Sequence, residues 1–277
     1  MSETTALPLN NPPPKAVPAV QRPILVSMES LGFNMKATEP SKSWRKQKFI
    51  MLGPGKSGKT KFWAESGDNA FWFRTEAGHN HVKTIGENIL DYQDYEKWVN
   101  NLFKAKNAGI LPFDTIVIDT GDRWVDVHTE KVIEDARNKF TKMEINSIGD
   151  IPEGQGWFAQ KTKINLALKQ LEELNCAIVL IFHVGTDVLN EEGDTKKTYK
   201  KETINVGGKT GTAILAWADH ILHLKTAYVG DLIARKMLVR GSKTIEAGSR
   251  IKDIPQSFVW SDNDADNYKK FRTLFTD

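Results

Sequence analysis

The sequence predicts an α/β fold with a mostly parallel central sheet, flanking helices and antiparallel strands toward the C-terminus. Three observations carry this. Short apolar runs alternate with longer helix-like stretches from Phe49 onward, a glycine-rich turn joins the first run directly to a helical stretch, and two strand-like runs follow one another late in the chain with only a short turn between them. Strands separated by helical crossovers pair in parallel and are covered by helices, whereas runs joined by a tight turn pair antiparallel.

Phe49 to Leu52 is the first strand, leading through glycines into a helix over Lys59 to Glu65. Ala70 to Phe73, Thr115 to Ile118 and Ala177 to Phe182 are the next strands, because each is a short apolar run rich in aromatic or branched residues. Tyr92 to Ala108, Val125 to Phe140 and Gly156 to Leu174 are the helices between them. In the last of these Ile164, Leu168 and Leu171 fall on one helical face. Asp219 to Leu224 and Leu232 to Val239 form the late strand pair, joined through Tyr228-Val229-Gly230. Residues 1–22 contain Pro8, Pro12, Pro13, Pro14 and Pro18 among small polar residues, which neither a helix nor a sheet ladder tolerates, so this stretch is expected to be a flexible arm. Residues 23–277 are expected to form a single domain, entered through the basic run Lys42, Arg45, Lys46 and Lys48.

An apolar fraction of 40% with 26% charged residues is enough to build a sizeable core and excludes wholesale disorder. The net charge of +3 is too small to establish a polyanionic partner, so any nucleic-acid argument rests on local clusters. Cys176 is the single cysteine and sits against the apolar run 177–182, which excludes an intrachain disulfide and points to a reducing, cytoplasmic setting. No window approaches the roughly 18 apolar residues of a membrane span, and no basic-then-apolar leader pattern is present, so a soluble protein without a membrane partner is expected.

The chemistry begins at Gly53-Pro54-Gly55-Lys56-Ser57-Gly58-Lys59-Thr60. Glycines at this spacing let the backbone curl with its amides pointing inward at a phosphate, and the helix N-terminus adds positive potential. Lys59 is placed to reach the β- and γ-phosphate oxygens of ATP, and the Thr60 hydroxyl to ligate Mg²⁺. A carboxylate at the end of a second buried strand is the next requirement, and Asp119 meets it after Thr115-Ile116-Val117-Ile118.

Glu76 follows the strand ending at Phe73, at the sheet edge where ligands of parallel sheets bind. It is placed either to polarise a water attacking the γ-phosphate or to act as an ordinary capping or surface residue. His183 ends the run Ile181-Phe182 at the same edge and either senses the γ-phosphate or is a structural histidine. His79, His81, His220 and His223 are read as structural, since Cys176 alone cannot complete a zinc site with them.

This order of parts resembles the RecA-like P-loop ATPases, and within them the phage-encoded ATPases of single-strand annealing and recombination, over about Phe49 to Phe258. The resemblance implies a RecA-like core. It makes Glu76, in Thr75-Glu76-Ala77-Gly78-His79, the catalytic glutamate, and His183 the sensor where the family usually carries Gln. It also implies two DNA-binding loops, one over Lys142 to Gly156 and one over Gly185 to Lys209, the second closing in Val206-Gly207-Gly208-Lys209. Arg240 and Lys243 take the place of basic residues that reach a neighbouring subunit's γ-phosphate, implying a homo-oligomer. The polymerisation domain that many recombinases carry ahead of the core is not read in this chain.

Within the second loop, Lys196, Lys197, Lys200 and Lys201 surround Tyr199. That combination suits phosphate neutralisation with a base stacked on the ring, and it equally suits a solvated hairpin diluted by Asp187, Glu191, Glu192, Asp194 and Glu202. The leading expectation is a DNA-stimulated ATPase of phage-type homologous recombination that binds single-stranded DNA and promotes annealing or strand pairing. A single-strand-binding protein is its expected protein partner and the host cytoplasm its setting. The alternatives are an ATP-driven loader or remodelling ATPase acting on a replication protein, and a low-turnover nucleotide switch.

Overall fold

Period-two burial is the organising feature of the strands. Ile50, Leu52, Ile116, Ile118, Ile178, Leu180 and Phe182 enter one core, while Phe49, Met51, Val117, Val179 and Ile181 enter another. Successive side chains of a strand point to opposite faces, so the uninterrupted apolar runs mean that both faces of the sheet are covered. In the computed structural model, residues 29–32, 41–76, 81–191, 194–229 and 232–277 are described. Residues 1–39 form one unit, of which a short 3-10 turn at Glu29–Leu31 is described, and residues 40–277 form the other. The arm expected over 1–22, and Ala77, Gly78, His79, Glu192 and Gly230, lie outside the described residues, as do the side chains of Asp194, Lys196, Tyr228 and Val229.

Within the second unit the strands are β1 (Lys48–Gly53), β2 (Ala70–Arg74), β3 (Ile85–Asn88), β4 (Thr115–Asp119), β5 (Ala177–Glu191), β6 (Asp194–Ile204), β7 (His220–Val229), β8 (Leu232–Leu238), β9 (Gly248–Ser249) and β10 (Ser257–Val259). The helices are α1 (Lys59–Ala64), α2 (Tyr92–Asn107), α3 (Gly121–Lys139), α4 (Gln155–Glu173), α5 (Gly208–Trp217) and α6 (Asp264–Arg272). The sheet order is β10-β8-β7-β1-β5-β4-β2-β3, with β6 paired to β5 and β9 to β7. From β7 to β3 every neighbouring pair is parallel, and β7-β8 and β8-β10 are antiparallel. The α/β class with antiparallel C-terminal strands is therefore what the chain adopts. One core packs α2, α3, α4 and α5 on the sheet through residues such as Tyr95, Trp124, Ile164 and Ile214; the other packs α1 and α6 through Phe62, Trp63 and Phe271. Among the described residues no helix is long and apolar enough to cross a membrane.

Two differences from the sequence expectation bear on function. The strand expected to end at His183 runs on to Glu191: it leaves β1 at the pair Gly53↔His183 and takes β6 as an antiparallel partner from Val184↔Ile204 onward. The expected loop over Gly185 to Lys209 is thus mostly a two-stranded hairpin, followed by the first turn of α5. The short strands β3, β9 and β10 and the helix α6 also escape the sequence reading. β3 has four residues, none of them buried, so it lacks the apolar run that marks the inner strands.

Two fully buried histidines make stability sensitive to acid. His128 donates from Nδ1 to the Trp124 carbonyl (2.8 Å), and His220 lies between Gln47 Oε1 (2.9 Å) and Ser249 Oγ (3.0 Å). Burial holds the pKa of each down to about 4, from an ordinary 6.5. As the folded value lies below the unfolded one, stability is intact above pH 6.5 and is lost as pH falls toward 4, because the unfolded chain takes up the proton first. Thermal unfolding should show a loss on the order of 1–3 kcal/mol per histidine over this window. His128→Gln should flatten that part of the pH profile, and an unchanged profile would count against a neutral buried His128.

Candidate nucleotide site

The phosphate loop is set by backbone constraints that its sequence satisfies locally. Gly58 sits at φ +103°, where a side chain would be strained, and a Cβ there would come 2.9 Å from Arg235 Nη1. Gly53 lies against β7, and a Cβ on it would come 2.7 Å from the Leu224 carbonyl oxygen. The loop then turns directly into α1, so the first amides of the helix open toward it. Lys59 is buried, and its Nζ donates to the carbonyls of Gly53 and Pro54, both at 2.8 Å. Burial pushes its amine below the usual lysine range, against the pull of Asp119, Asp122 and Glu76. Ser57 Oγ is buried without a hydrogen-bond partner among the described residues.

Strand order brings the other groups alongside. The adjacent strands β1, β5, β4 and β2 carry, at or just past their ends on this edge, the phosphate loop, His183, Asp119 and the segment reaching Glu76. Thr60 Oγ1 donates to Asp119 Oδ2 at 2.7 Å, so the two candidate Mg²⁺ ligands of the sequence reading are in contact. Burial raises the Asp119 pKa, opposed by the Thr60 hydrogen bond and the Lys59 charge. Glu76 Oε1 accepts from Thr120 Oγ1 at 2.8 Å. Thr75 steadies this arrangement: its amide donates to the Asp119 carbonyl (2.8 Å), its hydroxyl donates to the Thr120 carbonyl (2.9 Å), and it accepts from the Thr120 amide (2.6 Å).

The AAA domain family matches residues 45–251, three quarters of the chain and the whole of this site. The chain belongs to that family. It is an AAA-type P-loop domain, and nucleotide binding comes with that class. A search of solved structures finds similarity to the crystal structure of the RadB recombinase at 13% identity and a TM-score of 0.44, covering 79% of this chain and 89% of that one. No curated protein matches the chain.

In this AAA domain the remaining predicted residues are distributed unevenly. His183 is partly exposed and rests on Asp122, whose Oδ2 accepts from the His183 amide (2.8 Å) and lies 3.2 Å from its ring Nδ1. Arg240 donates to the carbonyls of Ser249 (2.8 Å), Ile251 (3.0 Å) and Lys252 (3.3 Å) of its own chain. Lys243 pairs with Glu191 at 2.7 Å and lies 4.6 Å from the centroid of the Tyr199 ring. The basic cluster of the hairpin does not surround Tyr199, because alternation along β6 sends Lys200 to the face opposite Tyr199 and Lys201. Lys201 is further held by Glu246 at 2.5 Å, whereas Lys197, Lys200 and Lys209 are exposed.

The AAA domain also uses residues that the sequence reading passed over. Thr120 caps α3 by accepting from the Arg123 amide and also bonds Glu76, and Asp122 anchors His183. A Thr directly after the strand carboxylate is a visible N-cap signal. Its bond to Glu76, 44 residues away, is not. Among the described residues no three His, Cys, Asp or Glu side chains converge to hold a metal, so any Mg²⁺ here would rest on Thr60, Asp119, phosphate oxygens and water.

Proposed function

We propose that this AAA domain is a Mg²⁺-dependent ATPase with a RecA-like core, stimulated by single-stranded DNA, that promotes annealing or strand pairing in phage-type homologous recombination. The observation that carries this reading is continuity. β5 delivers His183 to the nucleotide edge and continues without interruption as one arm of a hairpin whose other arm bears Lys196, Lys197, Tyr199, Lys200 and Lys201. Nucleotide state at His183 and DNA at the hairpin would then act on one strand.

The loop amides and Lys59 would bind the phosphates, and Lys59 is already desolvated beside them. The Ser57 hydroxyl, without a partner among the described residues, and the Thr60–Asp119 contact would hold Mg²⁺, which would supply neutralisation of phosphate charge. Glu76, held by Thr120, would orient the attacking water and accept its proton. Arg240 and Lys243 would serve a neighbouring subunit's site in a homo-oligomer. Lys243 would give up one exposed ion pair and its place over the Tyr199 ring to do so, and Arg240 three carbonyls, so Lys243 is the easier to release. A single-strand-binding protein and the host cytoplasm complete the setting. The loader reading draws its support from Val188 and Leu189, apolar side chains exposed on the same hairpin.

The test is ATP turnover with and without single-stranded DNA, repeated with Lys196, Lys197, Lys200 and Lys201 all changed to Ala. Each phosphate neutralised contributes a slope of about −0.7 to log affinity against log salt for single strands. With Lys201 engaged by Glu246, the fourfold variant should flatten that slope by about 2 and lose DNA stimulation. Tyr199→Ala should weaken binding with the slope unchanged. Identical affinity and salt dependence in the fourfold variant would make the hairpin a solvated face and favour the loader.

A further inference from the structure

A groove of about 1150 Å³ opens between the start of α4 and the turn into α5, lined by Asp122, Trp157, Phe158, Lys161, Asn205 and Lys209 among others. Trp157 and Phe158 are 58% and 74% exposed, so two neighbouring aromatic side chains stand largely in solvent at the first turn of α4. Asp122 both lines this groove and contacts His183 at the nucleotide edge. Its Oδ2 is committed to His183, accepting from the amide at 2.8 Å and facing the ring at 3.2 Å. Its Oδ1 is buried and without a hydrogen-bond partner among the described residues. A buried carboxylate oxygen left unpaired is costly, so a groove occupant whose N–H reached it by a small rotation of the side chain would gain a strong bond, and that rotation would shift the Oδ2 held against His183.

We propose that Asp122 is a positioning residue that relays occupancy of this groove to His183 at the nucleotide edge, the occupant being the bases of single-stranded DNA. The occupant rests on the single-strand reading given above; the relay is an additional claim. Base faces suit Trp157 and Phe158, and exocyclic amino groups suit the spare Asp122 oxygen. Lys161 and Lys209 take the phosphates. Asp126, one turn along α3 and also on the groove, adds a second negative charge to the Asp122 wall and keeps phosphates from it. Among the described groups around Asp122, the Lys59 ammonium interacts with it through charge and the His183 ring lies against its Oδ2.

The relay separates two kinds of defect. Asp122→Asn keeps an acceptor for the His183 amide but presents an amide where a base amino group must donate. In ATPase titrations with a homopolymeric oligodeoxynucleotide, the maximal stimulation of kcat should fall toward onefold, while KM for ATP changes by less than about threefold. Trp157→Ala should instead raise the DNA concentration needed by about tenfold and recover stimulation at saturation, as expected for loss of one stacking platform. Adding Asp122→Asn to His183→Ala should cost nothing further, since the relay runs through His183. In the unsubstituted protein without nucleotide, the His183 amide resonance should shift as oligonucleotide is added, a readout that does not depend on any variant folding. If the parent neither binds the oligonucleotide nor is stimulated by it, the single-strand reading fails and the relay with it. If the parent is stimulated, Asp122→Asn is stimulated equally and the His183 amide does not move, the relay alone is overturned.

Discussion

Lys59→Ala is expected to lower kcat/KM for ATP by about a hundredfold or more, the loss typical of removing one preorganised donor to a developing oxyanion. The reason lies in how the amine is held. Its Nζ is out of bulk water and bonded to the two carbonyls of Gly53 and Pro54, at 2.8 Å each, within the loop that would take the phosphates. A charge desolvated in this way interacts more strongly with an anion than an exposed lysine does. Exchanging two carbonyl contacts for phosphate oxygens is a short movement of a flexible side chain. Lys59→Arg should not restore activity, because a planar guanidinium does not fit a pocket shaped around one ammonium. Among the described residues the hydrogen bonds of this amine go to two backbone carbonyls of the loop itself, so its removal should leave the fold intact and thermal unfolding near-unchanged beside the lost turnover. Steady-state ATPase assays with nucleotide-binding titrations provide the check, and turnover within about threefold of the parent would remove Lys59 from the mechanism.

Glu76→Gln is expected to reduce kcat by about a hundredfold to ten-thousandfold while ATP affinity stays within a few-fold of the parent. The amide keeps an oxygen that can accept the Thr120 hydroxyl bond, so the side chain stays in place and only its basicity goes. Asp119→Asn should behave differently. It weakens the partner of Thr60, so its defect should appear as a raised Mg²⁺ requirement and poorer nucleotide binding more than as a loss confined to kcat. Single-turnover measurements separate the two patterns. If Glu76→Gln turns over as fast as the parent, the base lies elsewhere and the bond to Thr120 is structural.

What the sequence determined by itself is contiguous. Gly53 to Thr60 specifies much of its own shape, since the positive φ at Gly58 and the start of α1 are properties of neighbouring residues, whereas the close approach at Gly53 is to Leu224 on β7. The inner strands were legible because burial on both faces leaves unbroken apolar runs such as 177–182, and α4 because its apolar spacing is helical. β3 and α6 were not, since a short edge strand and a late charged helix carry little apolar signal. The pairings that make a site were decided by tertiary structure alone. Thr60 with Asp119, Thr120 with Glu76 and Asp122 with His183 are 59, 44 and 61 residues apart, and meet because β1, β5, β4 and β2 lie in that order in the sheet. The same holds for the basic cluster: in sequence Lys196 to Lys201 reads as one patch around Tyr199, but strand alternation divides it between two faces, and Glu246, brought alongside β6 from another segment, takes Lys201. Composition records which charges are present, and only strand register decides which of them share a face.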